Sequence, residues 1–101
     1  MIFVEKTYTR PSVDTPWHGS IINKEQMISI MTQYSQNGKL LYHNTMVGDS
    51  NLQFIHNSMW KDQAAYDEYM SNPILQEFWA ARDLYNESVG ITASDTTLRQ
   101  V

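Results

Sequence analysis

The chain has 101 residues and a net charge of -4, which leaves room for one hydrophobic core and not for two. Hydrophobic residues at 42% and charged residues at 18% exclude a disordered chain, and seven scattered Lys and Arg argue against nucleic acid or an acidic membrane as partner. The absence of cysteine removes disulfides, thiolate metal sites, iron–sulfur clusters and a thiol nucleophile.

Ile2 to Tyr8 is rich in β-branched and aromatic residues and reads as a strand, ended by Arg10-Pro11 because proline cannot donate to a ladder. Residues 11–20, with two prolines and a glycine, read as a loop. Asn23 is placed to cap a helix, with Gln26 completing a capping box and Ile22 and Met27 forming a hydrophobic staple. Met27, Ile28, Met31 and Tyr34 follow helical spacing until Asn37-Gly38 stops the run. Lys39 to Val47 and Leu52 to Met59 read as the strands of a hairpin turning at Gly48-Asp49-Ser50-Asn51. A second helix opens near Asp62 and breaks at Ser71-Asn72-Pro73, where Asn72 caps and Pro73 starts a new stretch. In that stretch Ile74, Leu75, Phe78, Arg82 and Tyr85 share a stripe. After Val89-Gly90, the Thr-rich segment from Ile91 to Val101 reads as a last strand.

The order β-α-β-β-α-β predicts an α+β, ferredoxin-like fold, with both helices on one face of a four-stranded antiparallel sheet. Both faces of the hairpin carry large apolar side chains. Leu41 and Val47 are expected on one face, and Leu40, Tyr42 and Met46 on the other; Leu52 and Phe54 oppose Ile55 and Met59. Helices cover one face only. The expected cover for the second is another copy of the chain, a homodimer closed by sheet-on-sheet packing.

If Asp49-Ser50 is a two-residue turn, His43 lies directly opposite His56, with Cβ atoms about 5 Å apart. Such a pair suits acid–base chemistry near pH 7, half of a metal site, or plain structural histidines bonded to backbone or water. His18, in Pro16-Trp17-His18-Gly19, precedes the first helix, where Trp17 serves as a loop anchor or as the plug of a lid. Tyr66 and Trp79 belong to an aromatic-rich second half that suits core packing or the stacking of a flat ligand. Asn44 and Asn57 are amide donors suited to a developing oxyanion.

Residues 52–78 read LQFIHNSMWKDQAAYDEYMSNPILQEF: a strand ending in Trp, an acidic helix start, Ala and an aromatic, then Ser-Asn-Pro and an amphipathic helix. This segment resembles the dimeric α/β-barrel superfamily, in particular its antibiotic biosynthesis monooxygenase-like domains, with Trp60, Ala64, Ala65, Tyr66 and Pro73 as the sharpest match. The resemblance implies two sheets facing each other across a dimer barrel and, in each subunit, a pocket between helices and sheet with Trp60 beside it. It implies activities ranging from cofactor-independent oxygenation of quinols or polyphenols to haem degradation and isomerisation. In the haem-degrading branch an axial histidine lies in the second helical region. An ungapped match puts Trp79 there, and no histidine follows His56. That branch's asparagine near the end of the first strand is replaced by Glu5-Lys6-Thr7.

The leading expectation is therefore a small-molecule enzyme resembling the cofactor-independent monooxygenases. His43 and His56 are its proton acceptors, and Trp60, Tyr66, Trp79 and Asn44 hold an aromatic substrate, with neither cofactor nor metal. The alternatives are a non-catalytic homodimer that binds a small apolar ligand or a protein, and an isomerase or lyase on the same fold. Glu5 and Lys6 interrupt any signal-peptide core and no apolar run approaches the ~20 residues of a membrane span, so a cytoplasmic protein with one domain over residues 1–101 is expected.

Overall fold

Strand β1 (Ile2–Thr9) forms where the N-terminal run of β-branched and aromatic residues ends before Pro11. The computed structural model describes residues 1–101. After β1 come α1 (Glu25–Gln36), β2 (Leu40–Val47), β3 (Gln53–Trp60), α2 (Gln63–Met70) and α3 (Pro73–Val89). The chain finishes with two short strands, β4 (Thr92–Ala93) and β5 (Thr97–Gln100). The sheet runs β2-β3-β1-β4, with β5 also on β1, and each of these pairings is antiparallel. This is the ferredoxin-like α+β order, with the expected last strand split into two pieces.

The helix starts follow local chemistry. The Asp62 carboxylate accepts the Ala65 N–H at 2.8 Å, and the Asn72 side chain accepts from Ile74 N–H at 2.9 Å, with Pro73 in the first turn. Gly90 closes α3 in the left-handed region at φ 79°, which glycine enters without strain. The first helix differs from expectation. It starts at Glu25, Asn23 accepts the Glu25 N–H at 3.0 Å as a turn two residues long, and Gln26 closes no capping box.

The core lies on one face of the sheet. Ile2, Val4, Leu40 and Trp60 pack there against Ala65, Tyr69 and Leu75, flanked by Met27, Ile30, Met31 and Tyr34 of α1. Leu40 corrects the sequence reading: a bulge between Leu40 and Tyr42 turns it under the helices, while Leu41 stays exposed. Beyond the bulge the alternation is regular. Tyr42, Asn44 and Met46 share the outer face with Ile55, Asn57 and Met59, and His43, Thr45 and Val47 share the helix side with Phe54, His56 and Ser58.

The loop between β1 and α1 is tied down by Arg10, which is buried and donates from Nε and Nη2 to the Asn51 carbonyl (3.0 and 2.7 Å) and from Nη1 to the Thr15 carbonyl (2.9 Å). Its guanidinium lies 4.7 Å from the centre of the Trp17 ring. Arg10→Met keeps the stem but leaves two carbonyls without their charged donor. Urea denaturation is expected to show a loss of about 2 kcal/mol.

Candidate functional site

The site is assembled on the helix side of the sheet, where β1 and β3 bring Lys6 opposite His56 and Tyr8 opposite Phe54. The loop after β1 closes over it. The Tyr85 hydroxyl of α3 donates to the Pro16 carbonyl at 2.6 Å, which holds the next two residues down. The Trp17 ring then sits 5.7 Å from Phe54, and the His18 ring 5.7 Å from Tyr8 and 6.3 Å from Phe54. From α3, Arg82 puts its guanidinium 5.6 Å from the Tyr8 ring centre. The space between helices and sheet is thus filled by the chain's own aromatic side chains. On the helix side of β2, His43, Thr45 and Val47 are exposed.

Burial and nearby charges favour the uncharged forms of His18 and His56. Burial, then the charges of Arg82 and Lys24, lowers the His18 pKa from 6.5 to about 4 against a weak opposing pull from Asp83. Burial, then His43 and Arg82, also lowers the His56 pKa. Both rings are therefore free bases at neutral pH. His18 Nδ1 is buried without a hydrogen-bond partner. Burial raises the Tyr8 hydroxyl pKa, with Arg82 pulling the other way.

The His18 shift has a consequence for stability. An unfolded chain protonates His18 near pH 6.5, whereas the folded chain resists protonation to about pH 4. Between those values the unfolded state binds more protons, so stability falls as pH drops through the window. Tm is expected to decline from pH 6.5 to 4, and His18→Asn to flatten that decline.

The sequence-derived candidates separate into three groups. His43 and His56 share the helix side but are diagonal neighbours, not directly opposed: His56 faces Thr45, and His43 faces Ser58. The cause is the turn, in which residues 49–52 replace the expected two-residue loop, with Ser50 and Asn51 at φ 53° and 58°. Trp60 is a core residue, 2% exposed, donating to the Ser58 hydroxyl at 3.0 Å and packed edge-on by Tyr34 and Tyr66. Tyr66 lies against Trp60, and Trp79 lies 5.8 Å from Tyr69, so both rings belong to the packing behind the histidines. Asn44 is on the outer face, where its Oδ1 accepts from Asn57 at 3.2 Å. No three His, Asp or Glu side chains converge to hold a metal ion.

Three residues enter the site that the sequence reading did not place there: Tyr8, Phe54 and Arg82. Arg82 carried a signal, because a cation on an otherwise apolar helical stripe needs a reason to face inward. Two shallow depressions lie elsewhere, one of about 200 Å³ between α1 and α3, the other of about 380 Å³ at the end of α3. Neither contains a histidine.

No protein-family model and no curated protein sequence matches the chain. Solved structures do. A putative antibiotic biosynthesis monooxygenase from Deinococcus radiodurans aligns over 100% of this chain and 92% of its own, with TM-score 0.66 and 14% identity. The chain has the antibiotic biosynthesis monooxygenase-like fold. SnoaB, a cofactor-independent oxygenase from Streptomyces nogalater, shares this monooxygenase-like fold over 99% of this chain and 91% of its own, with TM-score 0.60 and 10% identity. Another structure described as an antibiotic biosynthesis monooxygenase matches over 100% and 98%, with TM-score 0.61 and 17% identity.

Proposed function

We propose that the chain is a small-molecule enzyme of the cofactor-independent monooxygenase type, acting as a homodimer on an electron-rich quinol or polyphenol. The observation that carries this reading is His56. It is a half-buried, uncharged imidazole on the helix side of the sheet, next to the aromatic surface of Tyr8 and Phe54 and near the open edge at β2. A neutral imidazole shielded from water is suited to take the proton of a phenol, and the phenolate reduces dioxygen more readily than the phenol does. The substrate supplies all the electrons: a quinol and dioxygen become a hydroxyquinone and water, so the reaction balances without a reductant or a resident cofactor. His43, exposed at the rim, is assigned the secondary role of relaying the proton to solvent. Trp60, Tyr66 and Trp79 are assigned to shape the wall behind His56, and Asn44 to the interface between copies. SnoaB supports the reaction class at the level of fold.

The dimer rests on the outer sheet face. Tyr42 and Met46 are about half exposed there, beside Phe3, Ile55 and Met59. Burying each such side chain against a second copy is worth about 1.5–3 kcal/mol. No helix is long and apolar enough to cross a membrane, and a cytoplasmic location is part of the proposal.

Oxygen-electrode measurements with a panel of quinols test the reading. Substrate-dependent uptake without added cofactor, absent under argon, is expected. Turnover that persists in anaerobic solution would instead identify an isomerase or lyase, and binding without turnover would identify a non-catalytic ligand-binding protein.

A further inference from the structure

Strand β2 forms one edge of the sheet, bonded to β3 on its inner side only. Over Leu40–Val47 it carries no Lys, Arg, Asp, Glu or Pro, the residues that commonly keep an edge from pairing, and the bulge beside Leu41 disturbs only its first end. Leu41, Tyr42, Met46 and Val47 are between 47% and 69% exposed, so the edge is apolar on both faces. The Gly48 N–H donates to the Gln53 carbonyl at 2.8 Å, one step beyond the Val47–Phe54 pair. Antiparallel bonding alternates along a strand. Met46, Asn44 and Tyr42 therefore turn their backbone groups to β3, and His43, Thr45 and Val47 turn theirs to the free edge.

We infer that β2 docks antiparallel onto β2 of a second copy, with Asn44 opposite the partner's Asn44. Backbone parity restricts the registers to those that set His43, Thr45 and Val47 against one another. The register centred on Asn44 puts Tyr42 opposite the partner's Met46, Leu41 opposite the partner's Val47 and His43 opposite the partner's Thr45. Centring on His43 sets Tyr42 against the partner's Asn44, and centring on Thr45 sets Met46 there, so the apolar pairs are lost. Matched cross-strand pairs stabilise a sheet, and a two-fold pairing closes after two chains. The edge at β5 fits less well, since it presents Thr97, Arg99 and Gln100, and joining β2 to it head to tail never closes. The joined edge sets the partner's His43 beside Thr45, which faces His56, so the histidine side of the sheet continues into the second copy. One strand makes a small interface, so a dissociation constant on the order of 100 µM is expected and the edge stays open at micromolar dilution. This contact is separate from the outer sheet face and does not rest on the oxygenase reading.

The chain has no cysteine, so single cysteines report the register. Both are introduced into Ile55→Lys, which places a charge on the outer face and leaves the edge alone. Under mild oxidation Asn44→Cys is expected to form a disulfide-linked pair at least about tenfold faster than Tyr42→Cys. Position 44 meets its own copy at a non-hydrogen-bonded pair, with Cβ atoms about 4.5–5.5 Å apart, and position 42 does not. Sedimentation equilibrium of Ile55→Lys is expected to show single chains at micromolar concentration and pairs at about 1 mM, above the expected dissociation constant. Thr45→Pro removes an outward N–H that an edge strand can forgo, and is expected to abolish both the rise in mass and the cross-link at position 44. Val47→Lys, at a side chain already exposed, is expected to weaken the pairing at least about tenfold. Equal cross-linking at positions 42 and 44 overturns the inference, as do single chains at the highest concentration or a rise unchanged in a folded Thr45→Pro. Growth beyond two chains overturns it in favour of head-to-tail joining. Should Thr45→Pro not fold, Val47→Lys decides. Pairing of Ile55→Lys already at micromolar concentration, with the cross-link still lost in Thr45→Pro, counts against the outer-face interface and leaves the edge standing.

Discussion

His56→Ala is expected to lower kcat/KM for quinol-dependent oxygen uptake by about a hundredfold, while His43→Ala costs less than about tenfold. A positioned general base contributes roughly a hundred- to ten-thousandfold, and the lower end applies where the substrate proton is only moderately held. The two histidines differ in their surroundings. His56 is half-buried with its pKa lowered by burial, then by His43 and Arg82, whereas His43 stands exposed on the edge strand opposite Ser58. The pH dependence follows from the sign of that shift. The base works only when unprotonated, so activity rises with pH through the His56 pKa and is already level at neutral pH. The rising limb is expected below the ordinary histidine value of 6.5, and it is expected to vanish in His56→Ala. A pH–rate profile recorded by oxygen electrode measures both effects.

Ile55→Lys is expected to weaken self-association at least a hundredfold. Ile55 lies on the outer face between Thr7 of β1 and Met46 of β2, in the middle of the apolar surface assigned to the second copy. Two-fold symmetry places the new ammonium in the interface twice, and an unpaired buried charge costs about 3–5 kcal/mol. Thr45→Lys, on the helix side of the neighbouring strand, adds the same charge away from that surface and is expected to leave association unchanged. Sedimentation velocity at micromolar concentration reads both variants: Ile55→Lys sediments as a single subunit and Thr45→Lys as a pair.

The parts of this architecture written in short-range chemistry were legible from the residues. Asp62 and Asn72 cap their helices through bonds to neighbours two or three residues away, and Pro73 and Gly90 set the boundaries of α3 by backbone preference alone. Features decided by a single turn or bulge were not. Gly48-Asp49-Ser50-Asn51 suits both a two-residue and a four-residue loop, and the longer one moves the pairing by two positions. A shift of two keeps every side chain on its face, so His43 and His56 remained on one side while losing their direct opposition. The bulge at Leu41 has no local signature, and it reassigned Leu40 to the core. Trp60 is enclosed by Tyr34, Tyr66 and Tyr69, tertiary packing that its place at the end of a strand does not convey. Placement of His18 beside Tyr8 depends on Arg10 and Tyr85 holding a loop from distant elements, which no spacing rule conveys.

Titrating the chain with a quinol under argon, while recording histidine ring and methionine methyl NMR signals, addresses the working surface itself. Shifts at His18 and His56 with the Met46 and Met59 methyls unmoved are expected, because the histidines lie under the helices and those methionines on the opposite sheet face. Shifts confined to Met46 and Met59, with His56 unaffected, would contradict the assignment of the helix side as the place where substrate binds.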